Sequence, residues 1–290
     1  MSSVTAKRAT AAARRPVRPL VPREPRGITI RAWQLVIVVV VIVAWQWVPD
    51  IPGIRNVFDF ADPFFISSPS LLVKELWELA SGQHGTTPVW GPLAHTVLTA
   101  LIGSAAACAL GAVAGLAVSN WTTLDRTTRP FLVVLNAIPR VAMIPIIVLL
   151  AKDPTTSDAL TALTVVFFLV FYNAAAGASS VPTEIVQNAE LMGASKLRVM
   201  WRVRWPYAMA WTLITLPNAI AFGLVGAVTA EIFTGSTGLG YDLVLAIDNS
   251  NANLLFAIVV VLAIIGVILV LGSSWLRRIL MPWWETSQGI

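Results

Sequence analysis

Long unbroken apolar runs constrain this chain more than any other feature of its sequence. Each run has about 17 to 25 residues, the length that a helix needs to cross about 30 Å of hydrocarbon. A closed barrel would instead show short alternating segments of about ten residues. With 57% hydrophobic residues and a mean hydropathy of +0.76, the chain is predicted to be an all-α integral membrane protein with six transmembrane helices. The predicted spans cover about residues 32–48, 93–119, 131–151, 159–179, 209–230 and 254–275.

A strongly basic segment precedes the first apolar run. Residues 1–31 hold eight Lys or Arg residues and a single acid, Glu24, among Ala and Pro, which predicts a disordered cytoplasmic tail. A basic segment before an apolar run is also typical of a signal peptide, but this run is long for one and no small-residue cleavage site follows it. We therefore expect the run to be retained as the first transmembrane helix.

Basic residues are distributed unevenly between the two sets of loops. With the amino terminus inside, the inner segments hold sixteen basic and five acidic residues, whereas the outer segments hold three basic residues. This asymmetry follows the positive-inside rule and predicts a multi-pass membrane protein with both termini in the cytoplasm. The net charge of +5 is explained by anionic membrane lipid beside the inner loops, and no nucleic-acid-binding module is recognisable.

The loop between the first two predicted spans carries a helical pattern of its own. Ser68 can cap a helix that begins with Pro69 and ends at Gly82, and leucines form a stripe along it. The stripe consists of Leu72, Leu76 and Leu79. Residues 32–92 are therefore predicted to form the first span and an external loop with a short amphipathic helix lying at the membrane surface.

A polar insert, residues 180–208, separates the fourth and fifth predicted spans. Thr183 can cap a first helix that ends at Gly193. Ser195 can cap a second, basic amphipathic helix, and Pro206 ends that helix before the fifth span. A loop lying on the lipid headgroups would explain the arginines and tryptophans, but the small-residue corner at Gly193 exposes backbone where a partner can approach closely.

The sequence contains no recognisable motif for ATP binding or for hydrolytic catalysis. The nearest approach to a phosphate-binding P-loop, GSTGLG at Gly235–Gly240, has no lysine and lies on the predicted outer side. No H-E-x-x-H, G-x-S-x-G or buried carboxylate pair is apparent, and the single Cys108 excludes an intrachain disulfide or a thiolate metal site. We therefore expect neither an enzyme nor a metal site. A secondary transporter or channel stays an alternative, although no repeat is apparent and Glu231 is the only acid found near a span.

Arg140 is a charged residue within the third predicted span. It lies about 14 Å along that helix, near mid-membrane, and Pro139 and Pro145 flank it and free backbone carbonyls. Two interpretations are open: Arg140 satisfies those carbonyls, or it lines a pathway and favours an anionic solute. Glu231 is expected to lie too far along the membrane normal to be its partner. Other polar residues that can line the same path, or hydrogen-bond between helices, are His95, Asn136, Asn173 and Asn218.

The polar insert resembles the conserved cytoplasmic loop of permeases from binding-protein-dependent ABC importers. In that family an Ala-rich helix, a glycine, nine residues, a branched apolar residue, one more residue and Leu-Pro follow in order. The matching positions here are Ala189, Gly193, Val203 and Pro206. Gln187 and Trp205 stand where the family usually has Glu and Leu, and neither difference alters the spacing.

Three further stretches are similar to the nitrate, sulfonate and taurine branch of those permeases. They are FFISSPS at Phe64–Ser70, IPRVAMIP at Ile138–Pro145 and AEIFTGSTGLGYDL at Ala230–Leu243. The resemblance implies a permease core over residues 93–284, with the coupling loop inside it and a short cytoplasmic tail at 285–290.

The resemblance also implies partners and site residues. Its cytoplasmic loop forms a coupling helix that seats on an ATPase subunit, so ATP and Mg would be bound by that partner and no cofactor by this chain. The implied ATPase-coupling residues are Gln187, Ala189, Glu190, Leu191, Met192, Gly193, Ala194, Ser195 and Lys196. The implied pathway or gate residues are Arg140, Asn136, Asn218 and Glu231.

An external solute-binding protein and a second permease copy, forming a homodimer, complete the assembly that the resemblance implies. The resemblance also implies that the protein lies in the cell (plasma) membrane of a prokaryote. Small anions such as sulfonates or nitrate are the favoured solutes, and a neutral vitamin precursor stays an alternative.

Overall fold

The computed structural model describes residues 27–47, 67–82 and 88–282, with side chains from Arg31 onward. Within these residues all regular structure is helical, as predicted. The α-helices are α1 (Gly27–Trp47), α2 (Pro69–Ser81), α3 (Trp90–Asn120), α4 (Thr122–Ala137), α5 (Arg140–Leu150), α6 (Pro154–Ser179), α7 (Thr183–Leu191), α8 (Lys196–Val199), α9 (Trp205–Thr234), α10 (Leu239–Asp248) and α11 (Ala252–Leu280). One π-helical turn, Met200–Arg204, joins α8 to α9.

The chain divides between Trp45 and Gln46 into two units, so α1 is described by itself. It is a 21-residue helix rich in Val and Ile, and Arg31–Trp47 is its apolar part. It begins at Gly27, inside the segment predicted to be a disordered tail. The rest of that predicted tail, residues 1–26, lies outside the described residues, as do Phe64–Ile66 of the first similar stretch and the predicted tail at 285–290.

Among the described residues, four helical segments are long and apolar enough to cross a membrane. They are α3, α6, the continuous segment Lys196–Thr234 and α11, and they confirm the second, fourth, fifth and sixth predicted spans as helices. The third predicted span is wrong as a single straight helix, because α4 and α5 meet at 94°. If that bent pair is one span, the count rises to five. A total of six stays a prediction.

Pro139 accounts for the break between α4 and α5. It is the N-cap residue of α5, and both Ile138 (ψ 126°) and Pro139 (ψ 120°) have extended backbone. A proline has no amide hydrogen to donate, and its ring disfavours helical backbone at the preceding residue. The helix therefore ends at Ala137 and starts again at Arg140.

The centre of the bundle is formed by α3, α6 and α9. Small residues recur every fourth position on the face of α3 that meets α6, at Gly103, Ala107, Gly111 and Gly115. A methyl group added at Gly103 or Gly115 would collide with a backbone carbonyl of α6, Ala159 or Phe171 respectively. Close approach through small residues is how helices associate where lipid removes the hydrophobic drive between them.

Helix α2 confirms the predicted amphipathic helix. Leu72 and Leu79 are buried and the helix packs against α11, while Gly82 ends it with φ +67°. Ser68 is the N-cap residue as predicted, but its hydroxyl makes no cap bond to the backbone and lies 3.1 Å from Ser70 Oγ instead.

The two ends of the bundle differ in charge. We call the end with residues 180–204 and the turn between α3 and α4 the basic end. The opposite end, where α3 begins, α6 begins and α9 finishes, carries Asp153, Asp158 and Glu231, and we call it the acidic end.

Candidate functional site

The basic loop, residues 180–204, contains two helices separated by a sharp corner. Helix α7 begins at Thr183 with Pro182 as its N-cap residue, so the prediction that Thr183 caps the helix is wrong. Glu184 nevertheless lies in the first turn, where the positive end of the helix dipole favours an acid. Ser195 does cap the second helix, because its Oγ accepts a hydrogen bond from Arg198 N at 3.4 Å.

The corner depends on the backbone conformation of Gly193. Its φ is +82°, and its amide and that of Ala194 donate to the carbonyls of Glu190 (2.9 Å) and Ala189 (3.0 Å). Only glycine adopts this conformation without strain. A Cβ at Gly193 would meet nothing within 4 Å, so within this chain the backbone angle, and no neighbouring atom, selects glycine.

The tip of the basic loop presents apolar side chains away from the bundle. Leu191 is 85% exposed and Met192 is 88% exposed, although both are large and hydrophobic. Adjacent exposed apolar residues of this kind mark a surface that another molecule covers. Of the predicted coupling residues, Gln187, Glu190, Leu191, Met192, Gly193, Ser195 and Lys196 are exposed, and Ala189 and Ala194 are half-buried.

The second helix of the basic loop does not end at Pro206. Residues Lys196–Thr234 form one continuous helical segment through the π turn, with Pro206 in the first turn of α9. A proline is tolerated there because the first amides of an α-helix lack intrahelical partners. The prediction of a separate helix before the fifth span is therefore wrong, and the basic loop is directly continuous with α9.

Arg140 lies at the break between α4 and α5 and bonds to the end of α4. Its Nη1 donates to Leu135 O at 2.8 Å, and its Nη2 donates to Asn136 O at 3.3 Å and Asn136 Oδ1 at 3.0 Å. The guanidinium also lies 4.7 Å from the centre of the Phe168 ring. Of the two interpretations left open, the satisfaction of freed carbonyls is therefore observed.

The structure brings only some of the predicted pathway residues together. Asn136 accepts from Arg140, whereas Asn218 is exposed on α9 and Asn173 donates to Leu169 O of its own helix at 2.8 Å. A cavity of about 300 Å³ adjoins Arg140, and apart from Arg140 and Thr164 its lining is apolar. That lining comprises Leu110, Leu135, Met143, Leu163, Phe167 and Phe168.

Glu231 is the centre of a hydrogen-bond network at the acidic end. It is fully buried, and its Oε2 accepts from Thr96 Oγ1 at 3.0 Å and from Gly240 N at 2.9 Å. Its Oε1 lies 3.4 Å from His95 Nδ1, and since a carboxylate only accepts, the ring donates. Leu239 N donates to Thr96 Oγ1 at 3.0 Å. The carboxylate thus connects α3, α9 and α10.

A second buried carboxylate, Asp158, adjoins this network. It accepts from Thr234 Oγ1 at 3.1 Å and Ser236 Oγ at 2.7 Å, and its Oδ2 lies 4.0 Å from His95 Nε2. The expectations that Glu231 is the only acid near a span and that no carboxylates are buried together are therefore wrong.

Asp153 marks the start of α6. It is the N-cap residue of that helix, and its Oδ1 accepts a hydrogen bond from Thr156 N at 2.8 Å. Hydrogen bonding from the Thr156 side chain, and then from its backbone amide, lowers the pKa of Asp153.

The acidic end contains a cluster of three side chains that could act as metal ligands. Its three ligand atoms, one each from His95, Asp158 and Glu231, lie within 4.8 Å of one another. Histidine and carboxylate oxygens are ligands that several divalent metals accept. In the described structure each carboxylate oxygen already accepts a hydrogen bond, and His95 lies between the two acids with Nε2 also 3.3 Å from Thr155 Oγ1. These hydrogen bonds and close contacts join the three helices α3, α6 and α9.

The described residues form an all-helical bundle with helices long and apolar enough to cross a membrane, and with an exposed glycine corner at its basic end. A family model described as "Binding-protein-dependent transport system inner membrane component" matches residues 107–286, more than half of the chain, and the chain belongs to that family. The resemblance found in the sequence is confirmed.

Two relatives and one solved structure illustrate the match. The chain is 28% identical over 222 residues to the taurine transport system permease protein TauC of Escherichia coli (strain K12), covering 76% of this chain and 81% of that protein. It is 27% identical over 221 residues to the riboflavin transport system permease protein RibX of Chloroflexus aurantiacus, covering 76% and 81%. The inward-facing MetNI methionine ABC transporter matches with a TM-score of 0.52 at 15% identity, over 72% of this chain and 95% of that chain.

These comparisons fix the class of the chain. The relatives are permease proteins, and in this family the ATPase is a separate chain, so the chain is a transporter subunit and not an enzyme. The MetNI likeness shows the fold alone.

Proposed function

We propose that this chain forms the solute pathway of an ATP-driven importer and receives its mechanical input at Leu191–Gly193. The observation that carries the proposal is the Gly193 corner, where Leu191 and Met192 are almost fully exposed beside a glycine with φ +82°. Exposed apolar side chains at the end of a polar helix can be buried in a groove on the surface of another protein. The groove belongs to a cytoplasmic ABC ATPase subunit, which binds ATP and Mg.

Helical continuity supports the transmission of this input across the membrane. The segment Lys196–Thr234 has 39 residues and would span about 58 Å as an ideal helix. It begins at the ATPase-docking corner and reaches Glu231 near its far end. A tilt of the basic loop would therefore move the part of α9 that carries the Glu231 network, where the pathway opens to the outside.

The orientation follows from the charges at the two ends. We place the basic end in the cytoplasm and the acidic end outside, because basic loops are retained on the cytoplasmic side. Both termini then lie in the cytoplasm of a prokaryotic cell, and an external solute-binding protein delivers solute to the acidic end.

A second copy of the chain completes the pathway. Around the break, α4 and α5 expose large apolar side chains, of which Leu149 is 84% and Leu150 73% exposed. A homodimer would cover this surface in part, and lipid would cover the remainder.

The solute is a small anion of the sulfonate class. Arg140, Asn136 and Asn218 contribute polar groups along the pathway, and the buried Glu231 holds the helices together where the pathway opens at the acidic end. The cavity beside Arg140 combines one cation with apolar walls. The positive charge of Arg140, which the neutral α4 carbonyls do not cancel, attracts the anionic group. Similarity to the taurine permease favours this class, while similarity to the riboflavin permease keeps a neutral vitamin or vitamin precursor as the second candidate.

Reconstitution tests the proposal directly. The chain is placed in proteoliposomes with its partner ATPase and solute-binding protein, and uptake of radiolabelled taurine, nitrate and riboflavin is measured. We expect uptake of one of these solutes to need ATP inside and the binding protein outside. An ATPase whose P-loop lysine is replaced serves as the control and should abolish uptake. Solute uptake that persists without any ATPase contradicts the proposal.

A further inference from the structure

A cavity of about 220 Å³ lies at the basic end, between the basic loop and the turn that joins α3 to α4. It is separate from the apolar cavity beside Arg140 and shares no residue with it. Its lining is mostly polar and comes from the α3–α4 turn, α7, α8 and the π turn. Its polar side chains belong to Asn120, Thr122, Thr123, Glu190, Lys196 and Arg204.

Two buried donors on the wall of this cavity have no acceptor. Asn120 Nδ2 and Arg204 Nε are inaccessible to solvent and form no hydrogen bond within the described structure. An unpaired buried donor costs about 1–3 kcal/mol, so such a group normally has a water or an ion as its partner. The residues that carry these donors, Asn120 and Arg204, both line this one cavity, so its occupant is the nearest group that can become a partner of both.

The orientation of the Arg204 guanidinium is already fixed. Nη1 donates to Ser119 O at 2.8 Å, near the end of α3. This bond leaves the edge formed by Nε and Nη2, which is the edge that binds two oxygens of a carboxylate, phosphate or sulfate side by side. Arg204 thus combines a positive charge, a fixed position and a vacant two-donor edge.

Further groups on the cavity wall favour a negative occupant. Helix α4 has sixteen residues; its N-cap residue, Trp121, makes no side-chain cap bond, and Asp125, which lies in its first turn, is not among the residues that line the cavity. The positive end of this helix dipole adds to the charges of Lys196 and Arg204. Glu190 is the one acid in the lining, so two cations face a single carboxylate. Water can satisfy the donors but leaves this surplus charge unbalanced.

We propose that the cavity binds a tetrahedral oxyanion, the phosphate or sulfate type of group, between Arg204, Asn120 and the first turn of α4. The bound oxyanion fastens the basic loop to the α3–α4 turn and stiffens the segment that continues into α9. The group comes either from a free anion in solution or from the phosphate of a lipid headgroup. Charge-assisted hydrogen bonds from Arg204 supply most of the affinity.

The first experiment tests a free oxyanion. The full-length protein is purified in maltoside detergent, and inorganic phosphate is titrated against chloride at constant ionic strength by isothermal titration calorimetry. We compare Asn120→Ala and Arg204→Lys, which keeps the charge but loses the two-donor edge, with the control Arg198→Gln. Arg198 is exposed on α8 and is absent from the cavity wall. We expect saturable binding by the wild type and the control and about tenfold weaker binding by each cavity variant.

The second experiment tests the lipid source. The same four proteins are placed in nanodiscs of digalactosyldiacylglycerol, which has no phosphate, and phosphatidylglycerol is added while the thermal unfolding midpoint is followed. A rise in midpoint for the wild type and the Arg198→Gln control that both cavity variants lose assigns the oxyanion to lipid. If neither phosphate nor phosphatidylglycerol binds, the cavity holds water only and the proposal is overturned. Equal loss of binding in the Arg198→Gln control overturns it as well.

Discussion

His95 Nδ1 lies 3.4 Å from Oε1 of Glu231, and this contact joins the first turns of α3 to the last turns of α9. The two residues are 136 positions apart, and Glu231 is fully buried. A buried carboxylate is stable only when its oxygens have donors. Here the donors come from α3 and from the start of α10, so the hydrogen bonds of Glu231 hold α3, α9 and α10 together at the acidic end. We call the hydrogen bonds from His95, Thr96 and Gly240 to Glu231 the clasp.

Loss of the Glu231 carboxylate should destabilise the bundle. In Glu231→Ala, Thr96 Oγ1, Gly240 N and the His95 ring lose an acceptor at a buried site, and we expect a cost of about 2–4 kcal/mol. Thermal unfolding in detergent micelles measures it. Glu231→Gln keeps an acceptor oxygen and should be affected less, and the exposed Glu184→Gln should be unaffected. Equal midpoints for Glu231→Ala and Glu184→Gln contradict the clasp.

Replacement of Gly193 should weaken docking of the ATPase without unfolding the chain. In Gly193→Val a β-branched side chain must adopt φ +82°, which costs about 1–2 kcal/mol and reshapes the corner. We expect less ATPase to co-purify and less solute to be transported per ATP hydrolysed. Gly272→Val is the matched control, because Gly272 is helical in α11 and its Cβ also meets nothing within 4 Å. Normal co-purification of Gly193→Val would count against the docking site.

Arg140 should influence solute preference through its charge. Arg140→Gln keeps a group that can donate to the freed carbonyls of α4 but removes the cation, so we expect the fold to survive and taurine uptake to fall about tenfold. Uptake in proteoliposomes and the thermal midpoint are measured together, with the exposed Arg202→Gln as the control. If uptake by Arg140→Gln is normal, Arg140 only holds the break together.

Close packing between α3 and α6 should make Gly115 intolerant of even one methyl group. A Cβ at Gly115 would collide with Phe171 O, so Gly115→Ala should cost about 1–3 kcal/mol. Gly91, near the start of the same helix, has nothing within 4 Å, and Gly91→Ala should be neutral or slightly stabilising. Thermal unfolding compares the two, and a Gly115→Ala protein as stable as Gly91→Ala contradicts the packing.

The predictions that the structure confirms are those that depend on the residues of one segment alone. Unbroken apolar runs predicted α3, α6, α9 and α11, because a membrane-spanning segment must satisfy its backbone within itself. The glycine at Gly193 predicted the corner, because φ +82° is costly for other residues. Pro139 lies within the third predicted span. The angle of the break there depends on how α5 packs against α6, and the periodicity of the sequence does not predict the angle.

The sequence by itself determined that the chain is a helical membrane protein, where its main spans lie, which loop is basic and which family it belongs to. Tertiary structure alone decided which polar groups meet. Asp158 and Glu231 are 73 positions apart and His95 lies on a third helix, so only packing brings them into one network. The same holds for Asn120 and Arg204. Hydrogen bonds act over about 3 Å, and which distant residues come that close depends on how whole helices pack.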